Sequence, residues 1–327
     1  MEDSEIQEPP FMLDIELTEG CNLRCDFCGI QAIREDVGGY KFMTLKTAEA
    51  ISEGASLAGW TSRMELSGHG EPSLNPHKVD IVRALRSHNK RNQITFTSNG
   101  IGFLKDTTSI ITALFDAGLN ILILDDYAHV TIVDKLLKRY TGDIPVYTYP
   151  KDGPDYNPYR RKKPGTKMIV VLPDLAQTAT GVHSTVNNRA GQGAPPSDVA
   201  EGKRCVKPFR DMVIRWDGSV NSCCNDYRGV IKVGNVNNTS TRALWNGDVF
   251  KSLRRYLYNG MREWAPCKGC DFVGLRPGLL PDKLGKKITP MPVLHDEQVM
   301  AKALAGDTFT KIVWREWEGK DRVTSNI

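Results

Sequence analysis

The residues of this chain best suited to chemistry are its eight cysteines. They fall into two groups. Cys21, Cys25 and Cys28 stand in "CNLRCDFC", spaced C-x3-C-x2-C, and Cys205, Cys223, Cys224, Cys267 and Cys270 follow much later. In a chain of 327 residues, cysteines clustered in this way point to metal or redox chemistry rather than to a disulfide framework. Soft thiolates suit zinc or iron–sulfur centres. Three thiolates leave one coordination position open, which is what separates a catalytic metal site from a closed structural one. A zinc loop that borrows a distant fourth ligand has the same spacing, so on spacing alone both readings stand.

The composition is that of a globular protein, with 40% hydrophobic and 25% charged residues, long enough for one large domain or two. No run of about 18 apolar residues predicts a membrane helix. The start, "MEDSEIQEPP", is acidic and polar, unlike a secretory signal, so a reducing cytoplasm is the expected compartment. A net charge of +4 is too mild to identify a partner. The basic runs Arg160 to Lys163 and Lys283 to Lys287 read as solvated loops before they read as a nucleic-acid patch.

Elements that could position the cysteines are legible from residue 11 to about 172. "FMLDIELT", "SRMELSG", "QITFTSNG", "NILILDD", "IPVYTYP" and "KMIVVLP" read as strands. "TLKTAEAISEGASLAG", "NPHKVDIVRALRSH", "TTSIITALFDAG" and "HVTIVDKLLKRY" read as helices, the first capped by Thr44 and the third closed by Gly118. Strands alternating with helices predict βαβ units and a parallel sheet. These strands are too few for a closed eight-stranded barrel but could form a partial one. The cysteine trio then lies just beyond the carboxyl end of the first strand, where such sheets bind ligands. Residues 174–204 are rich in Gly, Pro, Ser, Thr and Asn and read as a connecting segment. "MVIRWDGSVNSC" predicts a hairpin turning at Asp217-Gly218. "TRALWNGDVFKSLRRYLYNG" predicts one amphipathic helix, with Trp245, Val249, Leu253 and Leu257 on one face and Gly260 at its end.

C-x3-C-x-φ-C with Phe27 as the aromatic, set after a first strand, resembles the signature of radical S-adenosylmethionine enzymes. The resemblance implies a [4Fe–4S] cluster on Cys21, Cys25 and Cys28, with S-adenosylmethionine at its open iron. It implies reductive cleavage to a 5′-deoxyadenosyl radical that takes a hydrogen from a substrate. After the second strand, "SGHGEPSLNP" resembles the family's Gly-Gly-Glu-Pro segment, which contacts the methionyl amino group. Gly70, Glu71 and Pro72 match, and His69 stands where glycine is commoner. After the third, "TSNG" resembles the ribose-side segment, with Ser98 and Asn99 able to bind hydroxyls, though a plain turn would use them too. After the fourth, "LDDYAH" places Asp125, Asp126, Tyr127 and His129 near the same rim, where one of them could orient substrate or move a proton; a helix-capping Asp with surface neighbours reads the same way.

The later cysteines stand in text that resembles the C-terminal extension called SPASM or, in its shorter form, twitch. That text runs from "NRAG" at Asn188 to Gly191, through "CVKPFRDMVIRWDGSVNSCCND", to "PCKGCD". Extensions with two auxiliary clusters carry a further run of cysteines, whereas this chain has only Cys267-x2-Cys270. The resemblance therefore implies one auxiliary [4Fe–4S] cluster on Cys205, Cys223, Cys267 and Cys270, with Cys224 spare unless the adjacent pair exchanges roles. By spacing alone a four-cysteine zinc site is also open.

The expected architecture is α/β. A partial (β/α)6 TIM-like barrel with its linker covers 1–200, a small α+β twitch/SPASM module 201–275, and an extension without an assigned role 276–327. The second cysteine set looks most like that of the twitch dehydrogenase of aminoglycoside biosynthesis, which implies oxidation of a small-molecule alcohol or sugar-like substrate. Competing enzyme readings are modification of a ribosomal peptide and of a nucleotide or nucleic acid. The non-enzyme reading is a zinc or iron–sulfur binding protein. A first strand near residue 11 is expected to leave no room ahead of the barrel for a peptide-binding module. The implied partners are S-adenosylmethionine, the substrate and an electron donor such as flavodoxin or ferredoxin, with no membrane.

Overall fold

A computed structural model of the chain describes residues 9–25, 27–33, 39–126, 131–173, 188–192, 200 and 202–272. Strand β1 (Met12–Ile15) leads directly into β2 (Thr18–Glu19), which pairs antiparallel with β3 (Lys41–Phe42). This two-stranded clamp closes the base of the loop that carries Cys21, Cys25 and Cys28. Helix α1 (Leu45–Leu57) follows, with the Thr44 hydroxyl accepting from the Thr47 N–H as its cap. Then come β4 (Arg63–Leu66), α2 (Lys78–His88), β5 (Ile94–Ser98), α3 (Thr107–Asp116), β6 (Ile121–Asp125), α4 (Ile132–Arg139), β7 (Val146–Thr148) and β8 (Met168–Leu172). The strands run parallel in the order β1-β4-β5-β6-β8-β7, so the last strand inserts beside β6 and leaves β7 at the edge.

Side chains alternate across each strand. Leu13, Ile15, Met64, Leu66, Phe96, Leu122 and Leu124 join the main core beneath the helices. Ile121, Ile123, Met168, Val170 and Leu172 form a separate cluster on the other face. That inner face also carries charge in pairs: Arg63 bonds Glu65, whose other oxygen accepts from the Thr97 hydroxyl at 2.6 Å. The strands therefore bury apolar groups on both faces and keep hydrogen-bonding groups on the concave one, as a partial barrel with an internal site requires.

The chain continues through α5 (Lys207–Arg210), β9 (Asp211–Ile214), β10 (Ser219–Asn221), β11 (Lys232–Asn235), α6 (Thr241–Trp245) and α7 (Asp248–Tyr258). The hairpin turns at Gly218, whose φ of +84° a side chain would disfavour. β9 pairs parallel with β1, from Met12 against Asp211 to Ile15 against Ile214. The later module thus extends the barrel sheet to nine strands, in the order β11-β10-β9-β1-β4-β5-β6-β8-β7. The single amphipathic helix expected from 241 to 259 is two helices. Gly247 is extended (φ −74°, ψ 168°) and starts the second helix. The break lets Trp245 turn inward, fully buried against Trp60 and Phe250. Burying a large apolar side chain contributes about 1.5–3 kcal/mol, more than the lost helix bonds at one Asn-Gly step cost.

The loop between β7 and β8 carries the basic run. Lys162 N–H donates to Gln93 Oε1 at 2.7 Å, and Gln93 immediately precedes β5. Arg160 to Lys163 therefore sits at the amino ends of the strands, opposite the cysteine loop. Lys283 to Lys287, Tyr127 and His129 lie outside the described residues.

Candidate active site

Loops at the carboxyl ends of β1, β4, β5 and β6 enclose a cavity of about 150 Å³. Its wall includes Cys21, Cys25, Cys28, Gly70, Glu71 and Asn99. The trio is half-buried and unbridged. Leu23 N–H points at Cys21 Sγ at 3.4 Å, and burial pushes the Cys21 thiol up to about 12. Gly70 is required by close approach, since a Cβ there would lie 1.9 Å from the Thr18 carbonyl oxygen. The next residue fixes the same contact, with Glu71 N–H donating to the Gly20 oxygen at 2.9 Å.

Glu71 is 4% exposed and fully engaged. Its Oε1 accepts from Ser73 N–H at 2.9 Å and from the Ser98 hydroxyl at 2.7 Å, and its Oε2 from Asn99 N–H at 2.9 Å. Burial holds this carboxyl above its usual range, against the pull of those donors. Glu71 thus locks the loop after β4 to the loop after β5. Ser98 stands behind it, while Asn99 lies in the cavity wall and donates to Asn22 Oδ1 at 2.9 Å. Of the two aspartates that end β6, Asp125 lies in the wall. Asp126 is half-buried, and its N–H donates to the Leu172 oxygen at 3.0 Å, bridging β6 to β8 at the rim. Asp125 shares the inner face with Ile121 and Ile123.

His69 lines this cavity too. It is buried, and burial, followed by the nearby Arg215 guanidinium, pushes its imidazole down to about 3, so the ring is neutral.

A second, tighter cavity of about 20 Å³ is lined by Cys205, Cys223, Cys267 and Cys270, walled by Leu253, Leu257, Phe272 and other side chains. Cys223 N-terminal to its neighbour joins this quartet. Cys224 instead feels the charges of Lys207, Asp14 and Asp211. Donors converge on the quartet's sulfurs: Asn225 N–H on Cys223 at 3.4 Å, Phe272 N–H on Cys270 at 3.4 Å, and Asn225 Nδ2 on Cys270 at 3.6 Å. Burial pushes the Cys205 thiol up to about 11, the Cys267 thiol up to about 12, and Cys223 well up. Such thiols ionise only against a bound positive centre.

The donor sets fit iron–sulfur clusters: thiols alone, half-buried in the first set and mostly buried in the second, with N–H groups aimed at sulfur. Among the described residues, no group of three or more His, Cys, Asp and Glu side chains could hold a single metal ion. No helix among them is long and apolar enough to cross a membrane.

Comparison with known proteins agrees. Residues 15–136 match the radical SAM superfamily and residues 205–271 the SPASM iron–sulfur cluster-binding domain. The structure of BtrN in complex with AdoMet and 2-DOIA is similar, with a TM-score of 0.57 at 18% identity over 82% of this chain and 95% of that one. BtrN in an open conformation gives 0.55 at 19%, over 81% and 94%. The GTP 3′,8-cyclase of Yersinia pestis is 30% identical over 109 residues, 33% of this chain and 31% of that one. This chain thus covers about a third of the length of the curated relatives it matches.

Proposed function

We propose that the chain is a radical SAM enzyme with a C-terminal SPASM module and that it dehydrogenates a small-molecule alcohol or sugar-like substrate. The carrying observation is the pair of cysteine-lined cavities on one sheet, three thiols around the roomier and four around the tighter. When bound, the clusters and S-adenosylmethionine supply a radical that takes the carbinol hydrogen and an acceptor for the second electron. Cys21, Cys25 and Cys28 hold the first cluster, and Cys205, Cys223, Cys267 and Cys270 the second. Gly70, packed on the Thr18 carbonyl, would leave its segment to contact the methionyl end, and Asn99, held by Glu71, would serve the ribose side. Asp125 in the cavity wall takes the hydroxyl proton, with Asp126, Tyr127 and His129 of the same segment as further candidates to orient the substrate. The likeness to BtrN, whose structure holds 2-DOIA, supports an alcohol substrate. The basic run at the far end of the strands offers nothing to a nucleotide in the cavity. A reducing cytoplasm and a flavodoxin or ferredoxin donor suit this chemistry.

The test is an anaerobic, reconstituted preparation given dithionite, S-adenosylmethionine and polyols or amino sugars deuterated at the carbinol carbon. Deuterium in the 5′-deoxyadenosine and a ketone product are expected. Deoxyadenosine without label from any such alcohol, but with label from a deuterated peptide, would move the reading to peptide modification.

A further inference from the structure

His69, where the family resemblance leads one to expect glycine, joins the two cavities. Its Nε2 lies 2.8 Å from the Cys224 carbonyl oxygen. A carbonyl only accepts, so Nε2 carries the hydrogen. Cys224 directly follows Cys223, which lines the second cavity. The imidazole also lies on the ring of Tyr227, with 4.3 Å between centroids. Tyr227 is itself in the wall of the first cavity and lies so close to Gly29 that a Cβ there would come within 2.6 Å of its ring. Midway, Asn225 donates to Cys223 and Cys270. The five residues from Cys223 to Tyr227 therefore have one end in each cavity, and His69 touches both halves.

On the far side of the ring Nδ1 packs 3.7 Å from Glu16 Oε1, beyond hydrogen-bond distance. Glu16 Oε2 accepts from Arg215 Nε at 2.5 Å, and Arg215 Nη1 donates to the Tyr227 oxygen at 3.0 Å. Glu16, Arg215 and Tyr227 are thus bonded in series, and His69 packs against both ends of that series, so the loops after β1, β4, β9 and β10 meet around the ring. His69 is adjacent to Gly70, whose backbone packs on Thr18 with no slack. A shift of the Gly70–Glu71 backbone on ligand binding has a route through His69 to the Cys223–Tyr227 segment, beside the route through Glu71 to the loop after β5.

We propose that His69 is a positioning residue that carries occupancy of the S-adenosylmethionine site to the auxiliary site, through its bond to the Cys224 carbonyl and its stack on Tyr227. The proposal rests on the two-cluster reading above. It requires differential contact in the free and bound states, and by linkage each site must then affect the other.

Hydrogen exchange of the reconstituted full chain, with and without S-adenosylmethionine, tests it. Iron content and deoxyadenosine formation are measured on the same preparation. In the wild type, the ligand is expected to slow exchange of amides in both 67–72 and 223–227. In His69→Ala and His69→Gly, residues 67–72 keep their gain and residues 223–227 lose theirs. His69→Gln, whose amide nitrogen reaches about as far as Nε2, restores it. If His69→Ala no longer binds the ligand, Tyr227→Leu, which leaves the loop after β4 intact, is expected to show the same selective loss. An unchanged gain at 223–227 in the variant that is read, or no gain there in the wild type, overturns the proposal. A wild-type preparation without iron or deoxyadenosine overturns the two-cluster reading instead, before any variant is compared.

Discussion

The two cysteine cavities use one kind of ligand and differ in everything around it. The first has half-buried thiols and about 150 Å³ of space, with a carboxylate, an amide and close-packed backbone in its wall. The second has a fourth thiol, about 20 Å³ of space, and leucine and phenylalanine side chains around it. The difference teaches that ligand count and free volume vary together. Where a thiol is missing there is room and hydrogen-bonding capacity for a co-substrate, and where the set is complete the site is smaller and its wall largely apolar.

The largest expected effect breaks the open site. Cys25→Ala should abolish 5′-deoxyadenosine formation and leave about four of roughly eight irons per chain, counted by colorimetric iron assay. Deoxyadenosine at the wild-type rate would reassign the open position. Cys267→Ala should likewise lose about four irons, but its first site should still cleave S-adenosylmethionine while substrate turnover is lost. Full turnover in that variant would make the second site purely structural. Glu71→Ala removes the acceptor for three donors from two loops. At about 1–3 kcal/mol for buried groups left unsatisfied, S-adenosylmethionine should bind about tenfold more weakly or worse, measured by anaerobic equilibrium dialysis. Cys224→Ala should do least. Iron and deoxyadenosine should stay at wild-type levels, with about 1 kcal/mol lost in a denaturant titration, because its backbone carbonyl, the group His69 uses, is retained. Half the iron missing from that variant would exchange the roles of Cys223 and Cys224.

What was legible in the sequence was mostly local. The spacing of Cys21, Cys25 and Cys28 needs only one loop, and the alternation of "LDIEL" and the continuous apolar runs "ILIL" and "IVVL" declare their strands within a few residues. "ILILDD" is apolar on both faces, so the sequence leaves open which of Asp125 and Asp126 faces inward. The Asn-Gly step at 246–247 was a written break in the helix. Other features have no local trace. β2 and β3 are two residues each, too short for a pattern. The parallel pairing of β1 with β9 joins segments about 200 residues apart with no turn between them to announce it. His69 reads as a mere departure from glycine until Cys224 is brought against it.

That long-range pairing has a consequence for how the protein comes into being. At about 5–20 residues per second, β9 leaves the ribosome roughly ten to forty seconds after β1. Until then the strand that delivers the first cysteine loop has one unpaired side, an adhesive edge at the middle of the future sheet. The earliest strand made is thus among the last to be completed, and a chain cut short before residue 211 would present that edge to its neighbours for good.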